Sequence, residues 1–389
     1  MSRVLSLPKM RDAVFAIGIL GMLAALVLLP EQSVEAARGG VELCVNVIIP
    51  SLFPFFVLST LSVELGLIEY AGRLMQKVMY PLFQVNGACA GAFVLGIVGG
   101  YPVGARTVIS LYESGQCSRT EAERMLSFCN NSGPAFILGV VGAGVFSNSR
   151  AGLLLYGAHV AASLIVGILF RFYHGTSASF QIETHVQKPA KGFSEAFTDS
   201  IIKAFNGTLN ICGFVIFFTV LVRLLFRIGA MGWITEMLNR RLNISMAESL
   251  LTGVIEITSG VWSLRDHASA MGDRLCMAAF ILGWAGLSVH CQVLSFIGNT
   301  GLSTRTYFAG KLLHGILSAG IIYGCFRSFG SRIPVSSFLA TQVCTVAEMK
   351  FGQALIASTC TALLVFLAMI LLSRDYFAGR YGNQNKNSV

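Results

Sequence analysis

Charge is scarce in this chain. Of 389 residues only 12% are Asp, Glu, Lys or Arg, against about a quarter in an ordinary soluble domain. Metal-binding and disulfide patterns are missing too. The 10 cysteines are scattered, mostly inside apolar runs, with no CxxC pair and no Cys/His cluster at ligand spacing. That leaves a metal site and a disulfide framework without support. HExxH, GxSxG, GxGxxG and P-loop patterns are absent, and the isolated acids Glu42, Glu64 and Glu256 do not pair by spacing. An enzyme is not expected.

What the chain has is apolar residues and glycine. It is 54% hydrophobic with 41 glycines and a mean hydropathy of +0.69, the composition of a polytopic membrane protein. The excess of 28 basic over 19 acidic residues, +9 in all, fits cytoplasmic loops beside an anionic leaflet rather than nucleic acid. A helix needs about 20 apolar residues to cross ~30 Å of hydrocarbon. Eight stretches qualify: 13–29, 41–62, 118–143, 150–172, 200–226, 273–299, 303–325 and 354–373. The basic N-terminus, Arg171, Lys188, Lys191 and the tail's Arg374, Arg380 and Lys386 put both termini in the cytoplasm, with Arg240, Arg241, Arg327 and Arg332 on the other side.

Two apolar segments are unlike simple spans. Residues 88–113 carry Gly96 and Gly99-Gly100-Tyr101-Pro102-Val103-Gly104 in their middle, and 247–266 carry Glu256-Ile257-Thr258-Ser259-Gly260. Each half is too short to cross, so both are expected to be re-entrant helical hairpins. Such backbone survives at membrane depth only when protein or a watery cavity surrounds it. Amphipathic patterns at 66–82 and 230–243 predict helices lying in the interface plane.

The order of elements repeats, with Ala90, Gly96 and Gly133 matching Ala247, Gly253 and Gly286. Each half has an odd number of crossings, so the second is expected to insert upside down, the architecture of secondary transporters. The organisation then reads as a transmembrane helix and loop over 1–40, a first repeat over 41–172 and a cytoplasmic linker over 173–199. A second, inverted repeat over 200–325 and a final transmembrane helix with its tail over 326–389 complete it.

The candidate binding residues sit at the interruptions. In span 118–143, a capping box at Ser118-Arg119-Thr120-Glu121 is followed by Asn130-Asn131-Ser132-Gly133-Pro134. Pro134 opens the helix there, and the half-helix after it points free N–H groups and a positive dipole end into the gap, which suits an anion. The plain alternative is a kinked helix whose Asn and Ser bond neighbouring helices. The matching span breaks near Gly283-Trp284-Ala285-Gly286, with Ser288, His290 and Gln292 as its polar groups. At the first hairpin tip, Tyr101, Pro102 and Gly104 bring backbone groups toward a ligand, and Arg106 follows within a turn. A cation at that depth is costly unless paired or hydrated. At the second tip, Glu256 stands beside Ser259 and Gly260; it pairs with Arg106, binds a coupling proton or cation, or caps the second half-helix. No cofactor and no metal are expected. The expected partners are the lipid bilayer and a small anionic solute, with a homo-oligomer left open.

The runs Gly99-Gly100-Tyr101-Pro102-Val103-Gly104-Ala105, Phe128-Cys129-Asn130-Asn131-Ser132-Gly133-Pro134-Ala135-Phe136-Ile137 and Gly283-Trp284-Ala285-Gly286-Leu287-Ser288-Val289-His290-Cys291-Gln292 resemble the sporulation integral membrane protein YlbJ family, also called SpoVV. The halves resemble nucleoside-recognition or gate domains, and their element order is similar to concentrative nucleoside transporters. The resemblance implies an all-α polytopic fold of two inverted repeats with re-entrant hairpins and broken transmembrane helices. It also implies a role in endospore formation: carriage of dipicolinic acid from the mother cell across the outer forespore membrane. By position it implies a site at Tyr101, Pro102, Gly104, Asn130, Asn131, Ser132, Glu256, Ser259, Ser288, His290 and Gln292. The acidic hairpin motif of the nucleoside transporters is missing at 99–105. A nucleoside-type permease and a non-transporting sporulation scaffold are the competing readings.

Overall fold

A computed structural model describes residues 7–65, 78–173, 192–242, 246–298 and 300–329. Most of the expected interfacial helix at 66–82, linker residues 174–191, and the crossing at 354–373 with the tail lie outside them. Every described residue falls in one compact unit, and among them the regular structure is entirely helical.

Helix α1 (Leu7–Leu28) meets α2 (Pro30–Leu43) at a bend of 99°. The stretch expected as a loop after the first span is therefore helix. Pro30 at its first position and Glu31 in its first turn favour a helix start, and Ser33, Ala36 and Gly40 form its buried stripe. A π-helical turn (Cys44–Ile48) leads into α3 (Ile49–Glu64). Pro50 explains that turn: its ring crowds the carbonyl four residues back and it has no N–H to give, so the ladder loosens just before it.

The first hairpin is α4 (Ala90–Val98) and α5 (Val103–Glu113). Helix α6 (Arg119–Phe128) begins on the expected capping box, with Ser118 and Glu121 bonded reciprocally. The chain leaves the helix over 129–133 and resumes as a π-helix (Ala135–Val145), followed by α7 (Ser149–Phe170). A second series then follows: α8 (Phe193–Arg227), α9 (Ala230–Leu242), a hairpin of α10 (Ala247–Ile255) and α11 (Ile257–Trp262), a broken helix α12 (Met271–Trp284) and α13 (Gly286–Ile297), and α14 (Thr304–Phe329). Hairpin, interrupted helix and long helix thus occur twice in the same order.

Two expectations need correction. Helix α8 starts at Phe193, inside the stretch expected to be linker, because its buried stripe (Ala196, Ser200, Ala204, Thr208, Cys212) already runs at helical spacing through the polar residues. Eight crossings were expected, but among the described residues four helices are long and apolar enough to cross alone. A bent pair, 16–28 with 30–48, makes up to five. Two other expected spans appear in pieces: 118–143 is split at its break, and 41–62 is shared among α2, the π-turn and α3.

Packing is close enough to require glycine. A Cβ on Gly96 would lie 1.8 Å from the Cys129 carbonyl oxygen and one on Gly104 2.1 Å from it, so the first hairpin closes on the end of α6 from two sides. A Cβ on Gly310 of α14 would meet the Ser127 oxygen at 2.3 Å. Small residues of this kind let backbones approach where lipid gives no hydrophobic drive to associate. Helix α8 packs along α2 and α3, tied by Lys203 to Glu64 and by Arg223 to Glu35 at 3.5 Å.

Candidate functional site

All the interruptions converge on one cleft. The first hairpin tip contributes Gly99, Gly100 and Tyr101, and the first break contributes Ser132 and Gly133. Glu256 and Thr258 come from the second hairpin, and Ser288 and Gln292 from the second broken helix. Phe55 and Phe56 of α3, Phe136 of the π-helix and Phe214 of α8 supply apolar walls. Apolar walls with a few convergent polar groups are the form of a small-molecule site.

The local chemistry explains the shape. Glu256 leaves the helix in extended conformation; its Oε1 accepts from the Thr258 N–H (3.0 Å) and its Oε2 from the Ser259 N–H (2.6 Å). Of the three roles left open, the geometry shows the cap. The first turn of α11 is occupied by its own carboxylate, one oxygen on each of two N–H groups. At the other break, Ala285 and Gly286 have φ of 81° and 76°, and a Cβ on Gly286 would lie 2.9 Å from the Ile257 nitrogen. The second hairpin tip and the second break therefore touch backbone to backbone.

Several polar atoms here have no partner. Ser132 Oγ and Gln292 Oε1, whose residues line the cleft, are buried without a hydrogen bond. So is Nε2 of His290, although its Nδ1 lies 2.9 Å from the Tyr307 hydroxyl. The Asn130 carboxamide sits near Tyr307 with neither end in a well-formed bond. Buried polar groups are normally satisfied, and each exception needs an explanation.

Other expected site residues stand apart from the cleft wall. Arg106 is exposed and does not line it, because Gly104, Ala105, Val108 and Ile109 form the buried face of α5 and Arg106 falls on the opposite one. It forms no pair with Glu256. Gly104 packs on the Cys129 carbonyl, and Pro102 lies just beyond the lining residues. Asn131 is held behind the break, donating to the Phe128 carbonyl (2.9 Å) and to Ser163 Oγ (3.2 Å). Ser259 bonds Thr219 across to α8 at 2.9 Å, and Gly260 packs on Gly253.

Residues 45–173 match the family model described as Gate: Nucleoside recognition. Over 337 residues the chain is 29% identical to the sporulation integral membrane protein YlbJ of Bacillus subtilis (strain 168), a match covering 81% of this chain and 83% of that one. Its backbone resembles CNTnw in an inward-facing substrate-bound state, with a TM-score of 0.52 and 15% identity over 82% of this chain and 84% of that one. A CNTnw variant in an intermediate state gives a TM-score of 0.54 and 16% identity, over 84% and 88%.

The fold is that of a concentrative nucleoside transporter. Among the described residues its helices include four long and apolar enough to cross a membrane.

Sequence reasoning missed a cluster directly behind Tyr101. Lys311 of α14 is fully buried, and its Nζ donates to the Asn130 carbonyl at 2.8 Å. It also lies 3.4 Å from the Tyr101 hydroxyl and 3.4 Å from His314 Nδ1. His159 of α7 packs tilted against His314 with ring centroids 4.2 Å apart and accepts from the Ser132 N–H at 3.0 Å. The signal was there: a lysine and, three residues later, a histidine in an apolar span, where ionisable residues rarely sit without a role.

Proposed function

We propose that the chain is a secondary transporter that carries a small planar solute by alternating access during endospore formation, with dipicolinate as the solute and the outer forespore membrane as the setting. One observation carries the reading: Ser132 and Gln292, which line a cleft bounded by two hairpin tips and two helix breaks, carry buried oxygens without a hydrogen-bond partner. In a water-poor interior such atoms are costly, and a solute with polar ring substituents supplies the bonds they lack. The four phenylalanines on the walls suit the two faces of a flat ring. The repeated order of hairpin, break and long helix supports two inverted repeats, with movement of one part against the other as the transport step. Similarity to a sporulation membrane protein supplies the setting.

The wall carboxylate of Glu256 favours a second solute, because it repels an anion and accepts from hydroxyl or N–H groups. That reading is a neutral nucleoside, in line with the gate-domain match. The test is uptake of labelled dipicolinate and labelled uridine into vesicles bearing the protein. Gln292→Leu should cut uptake of the true solute at least tenfold while the protein stays in the membrane. Unchanged uptake in that variant would defeat the site, and uptake of neither probe would defeat both solutes.

A further inference from the structure

Lys311 has an unusual environment for an ammonium group. Its three N–H bonds meet three acceptors: the Asn130 carbonyl at 2.8 Å, the Tyr101 hydroxyl oxygen at 3.4 Å and His314 Nδ1 at 3.4 Å. All three are neutral, and among the described residues no carboxylate forms an ion pair with it. The Tyr101 hydrogen is already given to the Leu282 carbonyl at 2.7 Å, and the Tyr101 ring lies 5.1 Å from Nζ. His314 Nε2 faces the His159 carbonyl at 2.9 Å, so it carries the hydrogen and leaves Nδ1 as an acceptor. By the same logic His159 Nε2 accepts from the Ser132 N–H, and its Nδ1 has no partner.

An unpaired cation in a membrane interior costs several kcal/mol, and a cluster that only holds helices together has no need of one. The elements packed against α14 offer few other titratable groups. On α6, Glu121 is bonded to Ser118 and Asn86, Glu123 to Arg119, Tyr173 and Ser303, and the buried Arg124 to the Gln84 and Tyr173 carbonyls. Helix α7 brings His159 and Tyr156, α12 brings Asp273, Arg274 and Cys276, and α13 brings His290, which reaches α14 through Tyr307. Tyr101 and His314 contact the ammonium, with His159 behind His314 and His290 near enough to feel its charge.

The cluster is also wired to the cleft at two points. Its Asn130 carbonyl and the Ser132 N–H belong to the first break, and Tyr101 is both a cleft wall and a ligand of Lys311. A solute that draws on the break or on Tyr101 pulls on the acceptors that hold the proton.

We propose that Lys311, with His314 and His159, is the proton site that couples solute movement to a proton gradient. One N–H bond of the ammonium breaks as the solute enters or leaves, the amine keeps the electron pair, and the proton passes to water on one side. A proton from the other side restores the ammonium in the return step. This rests on the transporter reading above, and the test separates the two.

The full chain is reconstituted in vesicles with a trapped pH-sensitive dye, using dipicolinate and uridine as probes and the membrane potential clamped at zero. Wild-type protein should exchange one probe at equal pH and concentrate it about tenfold per unit of pH difference, the one-proton value. Lys311→Met and Lys311→Arg should still exchange that probe but lose the pH-driven accumulation and the dye signal. Should both variants fail to fold, His314→Gln is read instead, with proton release on probe addition measured in detergent: wild type releases or takes up a proton and the variant does not. Accumulation that survives in the lysine variants, or wild-type exchange indifferent to the pH gradient, overturns the proposal while leaving the transporter reading intact. Absence of wild-type exchange with both probes overturns both.

Discussion

The Tyr101 hydroxyl donates a 2.7 Å hydrogen bond to the carbonyl of Leu282. It joins the tip of the first hairpin to the last turn of α12, next to the second break. Two parts of the chain separated by 181 positions are thereby fastened at the cleft. Tyr101→Phe should cost about 1 kcal/mol, the net worth of a neutral hydrogen bond, read as a lowered midpoint in detergent melting.

Glu256 separates the two solutes. Glu256→Gln keeps the shape and one cap bond but removes the charge from the cleft wall. An anionic solute should bind that variant several-fold more tightly, and a neutral solute held by the carboxylate should bind it more weakly. Isothermal titration with dipicolinate and uridine reads the sign. Glu256→Ala removes the cap as well and should lose about 1–2 kcal/mol of stability.

Glycine contacts give a graded pair. Gly104→Ala places a methyl 2.1 Å from the Cys129 carbonyl oxygen, a backbone atom that cannot step aside, and should cost 3 kcal/mol or more by rough analogy with overpacked cores. At Gly91 nothing lies within 4 Å of an added Cβ, so Gly91→Ala should be neutral or gain about 0.5–1 kcal/mol from helix propensity. Thermal unfolding of the two variants side by side checks the contrast.

Arg106 is outside the cleft, and Arg106→Ala should leave solute affinity within about twofold. A larger loss in a titration would mean that this cation reaches the solute in some other state of the transport cycle.

The interruptions were legible because their chemistry is local. Gly-Gly-Tyr-Pro, Asn-Asn-Ser-Gly-Pro and the Gly-Trp-Ala-Gly run break helices by rules that act within a few residues, and the structure interrupts its helices at those runs. Helix faces were less legible. Arg106 was expected at the site for its closeness in sequence to the hairpin tip, yet the 3.6-residue period turns it away while Gly104, Ala105 and Val108 face inward. The Lys311 cluster was illegible as a cluster, because its members lie on three elements and meet only through packing. What separates them is the sequence distance from Tyr101 to Lys311, 210 positions. The cap role of Glu256 stood among the alternatives, and only the placement of its carboxylate on the Thr258 and Ser259 N–H groups singles it out.

The two ion pairs on α8 act as a depth gauge. Lys203 and Arg223 are 223 − 203 = 20 residues apart, which at 1.5 Å per residue is about 30 Å of helix, the thickness of the hydrocarbon layer. If those charges mark the two water boundaries, the ten residues from Phe193 to Ile202 project about 15 Å beyond the lipid. This rod would then be anchored at fixed height, a stationary mast against which the hairpins can travel.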